Sequence, residues 1–81
     1  MQVKVFVTPR GGILDPQGKA VEHALKSLGF KGVGGVRIGK YIVLEIDAAS
    51  AQEARAAAQK MCEQLLANPL IEDFRFEVES S

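Results

Sequence analysis

Val36-Arg37-Ile38-Gly39-Lys40-Tyr41-Ile42-Val43-Leu44-Glu45-Ile46-Asp47 is the stretch on which the fold turns. Val36 and Ile38 alternate with Arg37, Gly39-Lys40 interrupts, and Tyr41 to Asp47 then runs on as a segment rich in β-branched and aromatic residues. Glycine at the first of two central positions suits a type II′ turn, so the stretch reads as a hairpin of two strands. The preceding Gly32 to Gly35 reads as irregular or bulged backbone.

Upstream of the hairpin, Val21, Ala24, Leu25 and Leu28 repeat at the spacing of one helical face, and Glu22 and Lys26 form an i,i+4 pair on a wetter one. Asp15-Pro16 supplies an N-cap carboxylate followed by proline at the first helical position. Gly29 is placed for the left-handed residue of a Schellman stop, with Phe30 behind it packing back toward Leu25. Before that helix, Val3, Val5 and Val7 alternate with Lys4 and Phe6 as a strand that Pro9 and Gly11-Gly12 end.

Downstream, Ser50 and Glu53 form an S-x-x-E capping box that opens a second helix, alanine-rich at first and then carrying Met61, Cys62, Leu65 and Leu66. Asn68-Pro69 stops it. Phe74, Phe76 and Val78 alternate with Asp73, Arg75, Glu77 and Glu79 as a half-buried strand, and Ser80-Ser81 reads as a frayed end. The order is β-α-β-β-α-β. The connection rules fold it into an α+β two-layer sandwich, a four-stranded antiparallel sheet with two helices on one face in a ferredoxin-like arrangement. With 81 residues, positions 1–81 read as a single domain.

Ten basic and ten acidic residues balance to zero net charge, which lacks the basic footprint that binding a phosphate backbone requires and speaks against nucleic acid. No apolar run approaches membrane-spanning length, and the N-terminus lacks the continuous apolar stretch of a signal peptide. The single Cys62 makes no intrachain disulfide and fits a reducing interior, so the expected location is the cytoplasm. One cysteine and one histidine do not assemble a zinc site.

Catalytic signals are thin. His23 falls beside the apolar stripe with no nucleophile motif near it, and Cys62 reads as a small buried hydrophobe. Arg10-Gly11-Gly12 is the best anion-binding candidate but lacks P-loop spacing and reads as a connector. Glu72, Asp73, Glu77 and Glu79 alternate in a strand, so they read as a solvated or interfacial face in preference to a metal site. No catalytic residue and no metal ligand is expected. The uncovered sheet face would carry Phe6, Tyr41 and Val43 among Lys4, Arg37 and Glu45, a mixture that meets a partner more readily than a substrate. Self-association through the sheet, across that face or by edge pairing, into a dimer or tetramer is the corresponding expectation.

Leu14-Asp15-Pro16-Gln17-Gly18-Lys19-Ala20-Val21-Glu22, Leu28-Gly29-Phe30, Val36-Arg37-Ile38-Gly39-Lys40-Tyr41 and Cys62-Glu63-Gln64-Leu65-Leu66-Ala67-Asn68-Pro69, with Ile71-Glu72-Asp73-Phe74, resemble the PurS family in order and spacing. That resemblance implies the small subunit of phosphoribosylformylglycinamidine (FGAM) synthase, a glutamine-dependent carbon–nitrogen ligase of purine synthesis. In it a PurL synthetase uses ATP and Mg, a PurQ glutaminase releases ammonia, and the small subunit bridges them without catalytic residues or cofactors of its own. Asp15, Pro16, Gln17, Gly18, Arg37, Gly39, Lys40 and Tyr41 match the shared motifs and are the candidate partner contacts. An ACT-like domain that senses a small metabolite is the alternative of the same topology.

Overall fold

The computed structural model describes residues 1–12 and 15–79. Strand β1, Gln2–Pro9, lies at the centre of a three-stranded antiparallel sheet, with β2, Lys40–Glu45, on one side and β3, Glu72–Glu79, on the other. The period-two pattern of β1 sets the inner face. Val3, Val5 and Val7 are fully buried, and the register places Leu44 and Ile42 opposite Val3 and Val5 on one side, with Val78, Phe76 and Phe74 opposite the three valines on the other. Each buried valine contributes roughly 1.5–3 kcal/mol relative to exposure.

Helix α2, Ala51–Met61, covers this face. Ala54 and Ala58 are fully buried, and their small side chains let the helix approach β3 closely. The capping box forms at its start: Ser50 Oγ accepts from the Glu53 amide at 3.2 Å, and Glu53 Oε2 accepts from the Ala49 amide at 3.0 Å, one residue before the expected one. The helix ends in a π-helical turn, Cys62–Leu66, closed by the Ala67 amide donating to the Cys62 carbonyl. This wider turn brings Cys62 and Ala67 into the core and leaves Leu65 on the surface.

Helix α1, Pro16–Ser27, forms where its caps predict. Asp15 Oδ1 accepts from the Gly18 amide, and the Phe30 and Gly29 amides donate to the Leu25 and Lys26 carbonyls in a full Schellman motif, with Gly29 at φ 101°. It contributes no side chain to the core, however, and of its residues only Gly18 is buried. The expectation of two helices on one sheet face is therefore half met: α2 packs there and α1 does not.

Among the described residues the expected hairpin at Gly39-Lys40 does not form, and with it the fourth strand is absent. Gly39 is not at positive φ, which a type II′ turn demands. A Cβ on Gly39 would overlap the Val7 carbonyl, so glycine serves here to let the chain pass close beside β1 instead of reversing. Beyond Gly39 the chain continues past the end of β1, where Arg37 donates to the Pro9 carbonyl at 3.1 Å. The radius of gyration, 16.0 Å, exceeds the ~12 Å usual for a chain of this length because α1 and residues 33–38 extend away from the sheet. Leu14 of the family motif and the frayed end at Ser80-Ser81 lie outside the described residues.

Candidate partner-contact surface

Four of the eight candidate contacts, Asp15, Gly18, Arg37 and Gly39, meet in one joint between α1 and the segment before β2. Asp15 holds it: Oδ1 caps α1 through the Gly18 amide at 3.0 Å, and Oδ2 accepts from the Ile38 amide at 2.7 Å. Those two N–H groups, Ile38's foremost, hold the Asp15 carboxyl below the usual carboxylate range. Gly18 is buried, and the Val36 carbonyl passes so close that a Cβ there would overlap it. Arg37 and Gly39 anchor the same segment to the end of β1, as described above. The joint is internal architecture, and the side chains of Pro16 and Gln17 are the parts of the first motif that face solvent.

A second clasp, not read from the sequence, lies one turn along α1. Glu22 Oε1 accepts from the Gly35 amide at 2.9 Å, and Glu22 Oε2 lies 3.9 Å from Lys19 and 3.7 Å from Lys26. Desolvation works against its ionisation, but the Gly35 amide and the two lysines outweigh it and leave the carboxyl below its ordinary value. Glu22 was legible as a helix-surface pair with Lys26, whereas its long-range partner was not.

Lys40 and Tyr41 sit on opposite faces of β2. Tyr41 lies in a row across the open sheet face, opposite Phe6, which is in turn opposite Arg75. The Tyr41 and Phe6 rings stack at 5.1 Å, and the Arg75 guanidinium lies 4.0 Å above the Phe6 ring. Lys4 is paired with Glu79 at 2.9 Å and Arg75 with Glu77 at 3.2 Å, so this face is neutralised internally while Tyr41 and Val43 stay exposed. Arg10, the anion candidate, is bound up with β3: its amide donates to the Ile71 carbonyl and its guanidinium lies 3.6 Å from Asp73.

Nothing at these positions forms a nucleophile–base pair. His23 is exposed on α1, and Cys62 is buried, where desolvation pushes its thiol pKa up, opposite to what a reactive thiolate needs. What the surface does offer is apolar: Val21, Leu28 and Phe30 along α1 and its end, and Met61, Leu65, Leu70 and Ile71 around the π-helical turn. Of the first group, Val21 and Leu28 were visible as part of the apolar face of a helix expected to pack on the sheet, and Phe30 only as the residue behind the Gly29 stop. The second escaped notice because a regular helix places Leu65 with Met61, on the face expected to be buried.

Comparison with known proteins gives this surface its context. The family model for PurS, phosphoribosylformylglycinamidine (FGAM) synthase, matches residues 2–80. The PurS subunit of phosphoribosylformylglycinamidine synthase from Bacillus subtilis is 50% identical over 78 residues, covering 96% of this chain and 92% of the relative. The crystal structure of Bacillus subtilis PurS superposes with a TM-score of 0.86 at 49% identity, covering 98% of both chains. A chain of PurLQS from Thermotoga maritima superposes with a TM-score of 0.85 at 32% identity, covering 94% of this chain and 93% of that one. On a match spanning nearly every residue, the chain belongs to the PurS family, the small subunit of the ligase phosphoribosylformylglycinamidine synthase in purine biosynthesis.

Proposed function

We propose that this chain bridges a PurL synthetase and a PurQ glutaminase so that glutamine-derived ammonia reaches the ATP-dependent step converting FGAR to FGAM. The observation that carries this reading is the pairing of exposed apolar surface on α1 and around the π-helical turn with polar groups committed to internal architecture. Such a chain accelerates a reaction by positioning other active sites. Ammonia released to neutral water is mostly protonated and loses its nucleophilicity, so a bridged pair of sites keeps the reactive form.

ATP and Mg belong, in this reading, to the synthetase partner. The likeness to a chain of PurLQS favours assembly over the ACT-like alternative of metabolite sensing. Pro16, Gln17, Lys40 and Tyr41 are the candidate contacts whose side chains face outward, and Asp15, Gly18, Arg37 and Gly39 act by shaping the joint. A cytoplasmic site of action is part of the same reading, supported by the lone buried thiol. Self-association is also part of it, supported by the exposed Val21, Leu28 and Phe30 on a helix that its own sheet leaves uncovered.

The test is FGAM formation by PurL from glutamine and from ammonium salt, with and without PurQ and this chain. Glutamine-dependent synthesis should require the chain, and ammonium-dependent synthesis should not. Equal loss of both activities on omission would mean that it completes the synthetase site, and loss of neither would overturn the bridge.

A further inference from the structure

The zero net charge of the chain conceals a separation of charge that only the fold reveals. Residues 15–40, which comprise α1 and the segment clasped to it, carry five lysines and arginines against two carboxylates, a net charge of +3. Residues 1–12 and 41–79, the rest of the sheet and α2 with its π-helical turn, carry five against eight, a net charge of −3. Because α1 contributes no side chain to the core, the basic part forms an arm and the acidic part a body.

Both carboxylates of the arm are committed to its internal clasps. Asp15 accepts from the Gly18 and Ile38 amides and Glu22 from the Gly35 amide, with only 16% of the Glu22 side chain exposed. Lys19 and Lys26 are by contrast 73% and 52% exposed. Among the described residues no carboxylate lies within ion-pair distance of Lys31, Arg37 or Lys40. The charge that the arm presents to water is therefore almost wholly positive. At ~100° of turn per residue Lys19 and Lys26 project within about 20° of each other, and Leu28 projects about 180° from Lys19. The basic ridge thus lies across the helix from the apolar stripe, and covering the stripe leaves the ridge in water.

We propose that this basic face, carried by Lys19, Lys26, Lys31, Arg37 and Lys40, docks an acidic, carboxylate-bearing patch on a larger subunit of the assembly. The inference rests on the bridging role proposed above and names the surface and the charge of one of its contacts. Opposite charge steers the encounter, and the body, negative overall, repels the same patch, so the subunit is confined to the arm and its orientation on the chain is set. A patch of limited extent fits this division. A long polyanion or an anionic membrane would also meet the body, and neutralising a phosphate backbone takes a continuous basic surface that the body interrupts. A second copy offers carboxylates that are mostly engaged already. Glu79, Glu77 and Asp73 pair with Lys4, Arg75 and Arg10, while Glu53 and Glu72 accept from backbone amides.

The affinity of the full chain for PurL and for PurQ, measured separately at about 0.05 M and about 0.5 M salt, tests it. Binding to one of the two should weaken roughly tenfold or more at the higher salt, and salt-independent binding to both overturns the proposal. Lys19→Glu combined with Lys31→Glu should weaken that same interaction roughly tenfold or more at low salt, whereas Lys19→Arg with Lys31→Arg should retain it. Arg55→Glu with Lys60→Glu makes the same charge change at exposed positions of α2 and should weaken it less than about threefold. An equal loss there would show that net charge alone matters and would overturn the assignment to the arm. Native mass and exchange of the Gly35 amide, read alongside, should be unchanged in the arm variant. Loss of self-association with subunit affinity intact would make a second copy the occupant, and arm-dependent binding of an oligonucleotide or a phosphatidylserine vesicle in place of either subunit would make it a polyanion; each overturns the proposal. If the arm variant binds both subunits as the unmodified chain does, the docking surface is refuted and the bridge stands. If the unmodified chain binds neither, both fall.

Discussion

Replacing Gly18 by alanine separates the joint from an ordinary helix. In an open helical position the change stabilises by up to about 1 kcal/mol, since glycine is the poorest non-proline helix former. Here the new Cβ would overlap the Val36 carbonyl and come 2.7 Å from Asp15 Oδ2. A main-chain carbonyl offers no rotamer by which to yield, and its flanks are pinned by the bonds from the Gly35 amide to Glu22 and from the Ile38 amide to Asp15. Overpacking of this kind costs roughly 1–3 kcal/mol, so the helical gain is outweighed by about 1 kcal/mol at the middle of that range. That corresponds to about a fivefold increase in local opening. Hydrogen exchange of the Ile38 and Gly35 amides reads it directly, and both should exchange about fivefold faster in Gly18→Ala. Gly34→Ala is the control, because Gly34 has open space around its Cβ position and no positive φ. Slower exchange of both amides in Gly18→Ala would show that helix propensity alone governs the site, and the seating of α1 on residue 36 would be refuted.

Acid should open the same joint. Asp15 is depressed in the folded state, so its contribution is complete above the unfolded value of about 3.9 and disappears as pH falls through the lower folded value. The Ile38 amide resonance should accordingly titrate with a midpoint below about 3.9 and stop titrating in Asp15→Asn; a midpoint at or above that value would contradict the bond. Cys62 gives a third check. Fully buried and with its thiol pKa raised by desolvation, it should react with a disulfide reagent at pH 8 only at the rate of unfolding, and rapid stoichiometric labelling of the native protein would show that the π-helical turn leaves it accessible.

Local signals determined the elements. The alternation of Val3, Val5 and Val7, the Asp15-Pro16 start, the Gly29 stop, the Ser50–Glu53 box and the alternation of Phe74, Phe76 and Val78 each act within a few residues, and each forms as read. The motifs of the family resemblance were equally visible because they are words of sequence. The destination of residues 36–39 was not, because it is a competition between distant groups. Within the segment, Gly39-Lys40 looks like a turn, and only the carbonyl of Val7 pressed against Gly39 and the carboxylate of Asp15 on the Ile38 amide decide that it runs straight. The same decision carries α1 off the sheet, so a stripe that amphipathicity assigned to the core became surface. Leu65 changed sides for a related reason, since one wider turn after Met61 rotates every later side chain. The sequence alone determined both helices and the three strands that do form, because those preferences are local free energies. Tertiary structure alone decided which faces are left for a partner, because that depends on which distant backbone groups capture one another first.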